Sequence, residues 1–175
     1  MASRNVSEKE IRELIRTLNL PKTVMEIFDE KITDEVVRNA VGDDYSKPYS
    51  ILDLHPSAQE PYRLEQYKPI LELRCSQIIA YDIRNDGFVS YFLEDGVADP
   101  VCLSWDGVFL EEVLYWWECE WSDKEISYIG QKLGLSHVDK ILGSLNSTLD
   151  GAGFPTFEEK DAWVDKIRKE LNRKA

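Results

Sequence analysis

The stretch from Ile70 to Asp95 constrains the fold of this chain more than any other. It reads ILELRC, then QIIAYDIR, then NDG, then FVSYFLED, so runs of apolar and β-branched residues are separated by turn formers, the pattern of consecutive antiparallel strands. Three loop residues ending in Gly87 predict a type I turn closed by a left-handed residue at that glycine. The register that follows sets Ile83 opposite Val89, Tyr81 opposite Tyr91 and Ile79 opposite Leu93 on an apolar face. Asp82 opposite Ser90 and Ala80 opposite Phe92 then make a mixed face. A meander with one apolar face has to be covered by helices.

The flanks supply those helices. Ser7 with Glu10 is a capping box ahead of Ile11, Leu14, Ile15 and Leu18, which predicts a first helix over 8–18. Pro21 suits a first helical position, and Val24, Ile27 and Phe28 predict a second helix ending near Lys31. Thr33 is expected to cap a third, carrying Val36, Val37, Ala40 and Val41 and closed by Gly42. Residues 43–69 hold four prolines among tyrosines and aliphatic residues; ordered irregular chain is expected there, with a short strand near 50–54.

Beyond the meander, Ser104 caps WDGVFLEEVLYWWECEW, whose apolar side chains occupy nearly the whole helical wheel, as in a buried helix. Glu111 and Glu118 share a narrow polar strip with Gly107. Ser122 with Glu125 and Thr156 with Glu159 are further capping boxes, and Ser136 is expected to cap a helix between them. A flexible DGAG joins the last two helices. The expected fold is therefore α+β: a central antiparallel β-meander covered by N-terminal and C-terminal helices, in a single domain over 1–175.

Charge narrows the function classes. The 175 residues carry 33 acids against 21 bases, a formal charge of -12, which repels nucleic-acid phosphates and anionic lipid. The 43% of hydrophobic residues excludes a disordered acidic tail. No secretion signal or membrane span is read, so a cytoplasmic protein is expected, with no nucleic-acid or membrane partner. Cys75, Cys102 and Cys119 lack metal-ligand spacing and read as reduced core thiols. The last ten residues carry five bases and one acid, which complements the dipole of a terminal helix.

Catalytic patterns are sparse. His55 and His137 have no cysteine or acid at ligand spacing, no phosphate-binding glycine loop or nucleophile elbow occurs, and no cofactor or metal is implied. Glu111 and Glu118, about 10 Å apart along a helix, approach the carboxylate separation of inverting glycosidases; a carboxylate-based hydrolase is the enzyme alternative. Glu112, set among Trp105 and Trp116, needs a cation, either an internal one such as Arg84 or Arg74, or one from a partner.

Ten acids and a single base, Arg84, fall between positions 82 and 120. Asp82, Asp86, Glu94, Asp95, Asp99, Asp106, Glu111, Glu118 and Glu120 are expected to contribute to a negative surface that steers a basic protein. Trp117 is expected beside them as a ring for cation contact. At least three of the five tryptophans are expected in the core.

In the order of its parts the chain resembles the SUKH superfamily of bacterial immunity proteins. The resemblance is carried by an N-terminal helix, then LPKTVMEIF, then the meander PILELRCSQIIAYDIRNDGFVSYFLED, then SWDGVFLEEVLYWWECEW. It covers residues 20–121 and leaves 122–175 as a C-terminal helical extension. It implies a SUKH-like fold and a non-enzymatic binder, in many members an antidote that neutralises a cognate toxin, often a basic nuclease. A regulatory or scaffold protein with a different partner is the second non-enzymatic alternative.

Overall fold

The computed structural model describes residues 6–149 and 153–172. Among these, eight α-helices accompany one four-stranded antiparallel sheet, so the fold is α+β as expected. The chain divides between Cys102 and Leu103 into two compact units. No helix among the described residues is long and apolar enough to cross a membrane. Most of the DGAG segment lies outside the described residues, as do Arg173 and Lys174 of the basic tail.

The first unit begins with three helices: α1 (Glu8–Thr17), α2 (Lys22–Phe28) and α3 (Glu35–Val41). The Ser7–Glu10 capping box forms as expected, and α1 buries Ile11 and Ile15. Pro21 sits one position earlier than expected, at the N-cap of α2. Asp34 rather than Thr33 caps α3, its carboxylate accepting the Val37 N–H at 3.0 Å. Thr33 instead donates its hydroxyl to Glu26.

The strand expected near 50–54 is absent; β1 is the pair Tyr45–Ser46, and Tyr49–Leu52 forms the short helix α4. The reason is tertiary. Glu72 is buried, and its carboxylate accepts both the backbone N–H and the hydroxyl of Ser50, at 2.9 and 2.6 Å, which fixes the start of α4.

The sheet runs β1-β2-β3-β4, with β2 at Tyr67–Leu73, β3 at Gln77–Asp82 and β4 at Gly87–Phe92. The helices α1, α2 and α4 pack on β2, every residue of which from Ile70 to Leu73 is buried. This strand is therefore covered on both faces, not one. Its pairing with β3 shifts between Pro69 and Leu71, where a proline with no N–H tolerates a bulge.

The β3–β4 hairpin corrects the expected register by three residues. Ile78 lies opposite Tyr91, Ala80 opposite Val89 and Asp82 opposite Gly87. The loop is four residues, and its left-handed residue is Asp86 at φ 50, not Gly87. An odd shift turns β3 over, so Ile78, Ala80 and Asp82 join Val89 and Tyr91 on the buried face. Ile79 and Tyr81 face Ser90 and Phe88 on the other side.

The second unit is helical: α5 (Trp105–Glu118), α6 (Asp123–Lys132), α7 (Val138–Leu149) and α8 (Phe157–Leu171). Ser104 caps α5 by accepting the Gly107 N–H, and nine of the helix's fourteen residues are buried, as its apolar wheel requires. It packs against α6, α7 and α8. Where α7 meets α6, a Cβ on Gly130 would lie 2.4 Å from Val138 Cγ2, so only glycine permits this approach.

The expected Ser136 cap is displaced, because α7 starts at Val138 and the preceding His137 N–H is accepted by Asp106 at 2.7 Å. The cysteines also depart from expectation: all three are free, but Cys75 and Cys119 are exposed and Cys102 is half-buried.

Candidate binding cavity at the end of α5

The cavity starts from the way α5 stops. The helix ends at Glu118, with Cys119 as C-cap. The Trp121 N–H then reaches back to the Trp116 carbonyl at 3.1 Å, and the Glu120 N–H to the Trp117 carbonyl at 3.0 Å. This is a Schellman motif, which places its C′ residue in the left-handed region and brings the C″ side chain onto C3. Both consequences are present. Glu120, at C′, has φ 63, and the Trp121 ring lies on the Trp116 ring with centroids 5.4 Å apart and planes 6° from parallel.

The chain turns at once into α6. Ser122 and Glu125 form the expected capping box, with the Ser122 N–H and hydroxyl donating to Glu125 at 2.8 and 2.6 Å. Those two donors hold the Glu125 carboxyl below the usual carboxylate range. The box sets Asp123 in the first turn of α6, beside the end of α5. Asn146 of α7 then links the parts: Trp117 Nε1 donates to Asn146 Oδ1 at 3.1 Å, and Asn146 Nδ2 donates to Asp123 at 2.8 Å.

Between these elements lies a cavity of about 410 Å³, lined by Trp117, Glu118, Glu120, Trp121, Ser122, Asp123, Asn146 and Gly153. Its volume is within the usual range of ligand pockets, about 300–1,000 Å³. Three lining residues are acids and none is a base. Lys160 of α8 meets Glu118 at 2.8 and 2.9 Å. Glu120 is exposed, and its carboxylate has no hydrogen bond or ion pair among the described residues.

Two larger clefts lack this character. One, of about 620 Å³ in the first unit, mixes Glu30, Asp43 and Asp44 with Lys31 and Arg38. The other, of about 670 Å³ on α7 and α8, has no aromatic lining and mixes three lysines with Asp165 and Glu170.

Trp117, Glu118 and Glu120 are thus the expected site residues that the fold brings together. Trp121, Asp123 and Asn146 join them without having been anticipated as site residues; the capping signal directly after Trp121 was the one local hint that a corner forms there. The other seven do not line the cavity.

Asp82 is only 1% exposed. Its carboxylate accepts the backbone N–H groups of Arg84 and Asn85, the Asn85 amide at 2.7 Å and the Gln66 amide at 3.0 Å. Burial pushes its carboxyl up, but those donors outweigh burial and hold it below the usual range. Asp82 therefore builds the hairpin and cannot meet a partner. Asp106 is likewise buried and holds the start of α7.

Asp86 is exposed and accepts the Tyr81 hydroxyl at 2.6 Å. That bond, with burial and the carboxylate charges of Asp86 and Asp82, pushes the Tyr81 phenol up to about 12. Glu94 and Asp95 are exposed beyond the far end of β4, roughly 20 Å of strand from Asp86. Asp99 is exposed in the following loop. Even within the first unit, then, these acids do not form one patch.

Glu111 and Glu118 are engaged separately. Glu111 faces Arg168 at 3.4 Å while Glu118 faces Lys160, so each acid has its own base on α8. The cavity is lined by Glu118 and not by Glu111. Glu112 is 3% exposed and has an interaction within the chain. Trp116 and Trp163 are buried, whereas Trp105, Trp117 and Trp121 are half-buried, so two tryptophans rather than three are fully in the core. No family model, no curated protein and no solved structure matches the chain.

Proposed function

We propose that this chain is a binding protein for a basic protein partner, and that the partner's cationic side chains enter the cavity at the end of α5. The observation that carries the reading is the lining itself: two half-buried indoles and three carboxylates, with no base among them. A desolvated cation over an indole face gains about 2 kcal/mol. Neighbouring carboxylates add attraction and raise the rate of encounter with a basic surface. On the SUKH resemblance, the partner is a bacterial toxin with a basic active surface and the chain is its cytoplasmic immunity protein.

The test is co-expression with the product of the neighbouring open reading frame. Wild-type chain is expected to restore growth and to co-purify with the toxin, whereas Trp117→Ala combined with Glu120→Gln weakens both without unfolding the chain. Failure of the wild type to rescue growth or co-purify sinks the immunity reading. Full retention of binding by the double variant removes the cavity from it.

A further inference from the structure

We infer that the cavity selects arginine over lysine in its partner; this rests on the binding reading above and names the side chain that reading leaves open. The observation is the layered arrangement of Trp116 and Trp121. Trp116 is 2% exposed, so the inner ring is fixed by the core. Trp121 lies on it at 5.4 Å, within 6° of parallel, is itself half-buried, and borders the cavity. One face of Trp121 is therefore occupied by Trp116, and what remains accessible of the ring borders the cavity as a backed, flat surface.

A planar guanidinium can lie flat on such a surface and still direct its N–H groups outward in its own plane. An ammonium is a compact, strongly hydrated point charge that gains less from a flat face. Acceptors line the cavity: the Glu120 carboxylate has no partner among the described residues, while Asp123, held by Asn146, and Glu118, paired with Lys160, keep lone pairs beyond those contacts. Asn146 fixes Trp117 through its indole N–H and also holds Asp123, so the second ring and one acceptor are positioned in advance. The arrangement provides a ring to stack on and carboxylate acceptors in one cavity, a combination that a planar, five-donor guanidinium uses more fully than an ammonium.

The experiment is calorimetric titration of the full chain at low salt with two twelve-residue peptides that differ only in carrying four arginines or four lysines among glycine and serine. The arginine peptide is expected to bind about tenfold more tightly and to quench indole fluorescence. Trp121→Ala is expected to reduce that ratio to about one, while Trp121→Phe, which keeps a ring, retains part of it. Circular dichroism of each variant confirms that it is folded. Equal affinity of the two peptides for the wild type overturns the arginine assignment but leaves a basic-partner site standing. Binding of neither peptide overturns both.

Discussion

The β3–β4 hairpin and the α5–α6 corner are both tight, acid-rich reversals with an acidic residue in the left-handed region, Asp86 at φ 50 and Glu120 at φ 63. They use their acids in opposite ways. In the hairpin, Asp82 points inward to collect four donors and Asp86 accepts the Tyr81 hydroxyl. At the corner, the Glu120 carboxylate has no partner among the described residues, and the residue borders a cavity. The Asp82 carboxylate, buried and saturated by its own chain, is a structural part; that of Glu120, exposed on a strained backbone with no side-chain partner among the described residues, is available to a ligand.

The largest test of this contrast is Asp82→Ala. It leaves buried donors unsatisfied and removes a charged acceptor, so the first unit is expected to lose about 3 kcal/mol in urea unfolding. Binding of the arginine peptide to the second unit is expected to be unchanged. A loss below about 1 kcal/mol would mean that Asp82 is not what holds the hairpin.

The same carboxylate gives a pH signature. Its folded pKa lies below the unfolded value of about 3.9, so the stability it contributes is present above that value and is lost as pH falls through the folded pKa. Asp82→Asn removes the titration. Unfolding midpoints followed from neutral pH to below about pH 4 are expected to fall less steeply for this variant than for the wild type.

The hairpin also shows where the sequence was hard to read. Alternation fixes a strand's face only when polar residues interrupt it, and in β3 the neighbours Ile78 and Ile79, then Ala80 and Tyr81, suit either face. The buried partners of Asp82 decided the matter, and Gln66 comes from sixteen residues away. Helix starts were easier, because Ser7–Glu10 and Ser122–Glu125 are wholly local. The cavity divides in the same way. Trp117, Glu118 and Glu120 are adjacent in sequence and could be paired on chemistry, but Asn146 reaches Trp117 across 29 residues and Asp123 across 23, through packing that no local pattern carries.

The corner is tested next by exchanging its strained acid for the residue its geometry prefers. Helix α6 ends in the same Schellman motif, with Gly134 at φ +76 in the position that Glu120 holds in α5. Glu120→Gly removes the left-handed cost of a side chain, partly offset by a freer unfolded chain, and is expected to stabilise by about 0.5–1 kcal/mol. Gly134→Ala is expected to destabilise by about 1 kcal/mol. Glu120→Gly should also weaken the arginine peptide several-fold. A variant that is both more stable and equally tight in binding would show that Glu120 is not held there for a ligand.

The smallest expected effect belongs to Glu111, and its smallness separates it from Glu120, nine residues later. The Glu111 side chain is 56% exposed and meets Arg168 at 3.4 Å, a geometry in which screening and side-chain entropy cancel most of the attraction. Glu111→Gln is expected to change stability by less than about 0.5 kcal/mol. Peptide binding should not change, because Glu111 does not line the cavity. The Arg168 side chain is only 23% exposed, so burial as well as charge holds the guanidinium, and it should keep its position when the acid becomes an amide. Peptide binding weakened by Glu111→Gln as much as by Glu120→Gly would mean that the partner reads the general charge of α5 rather than the pocket at its end.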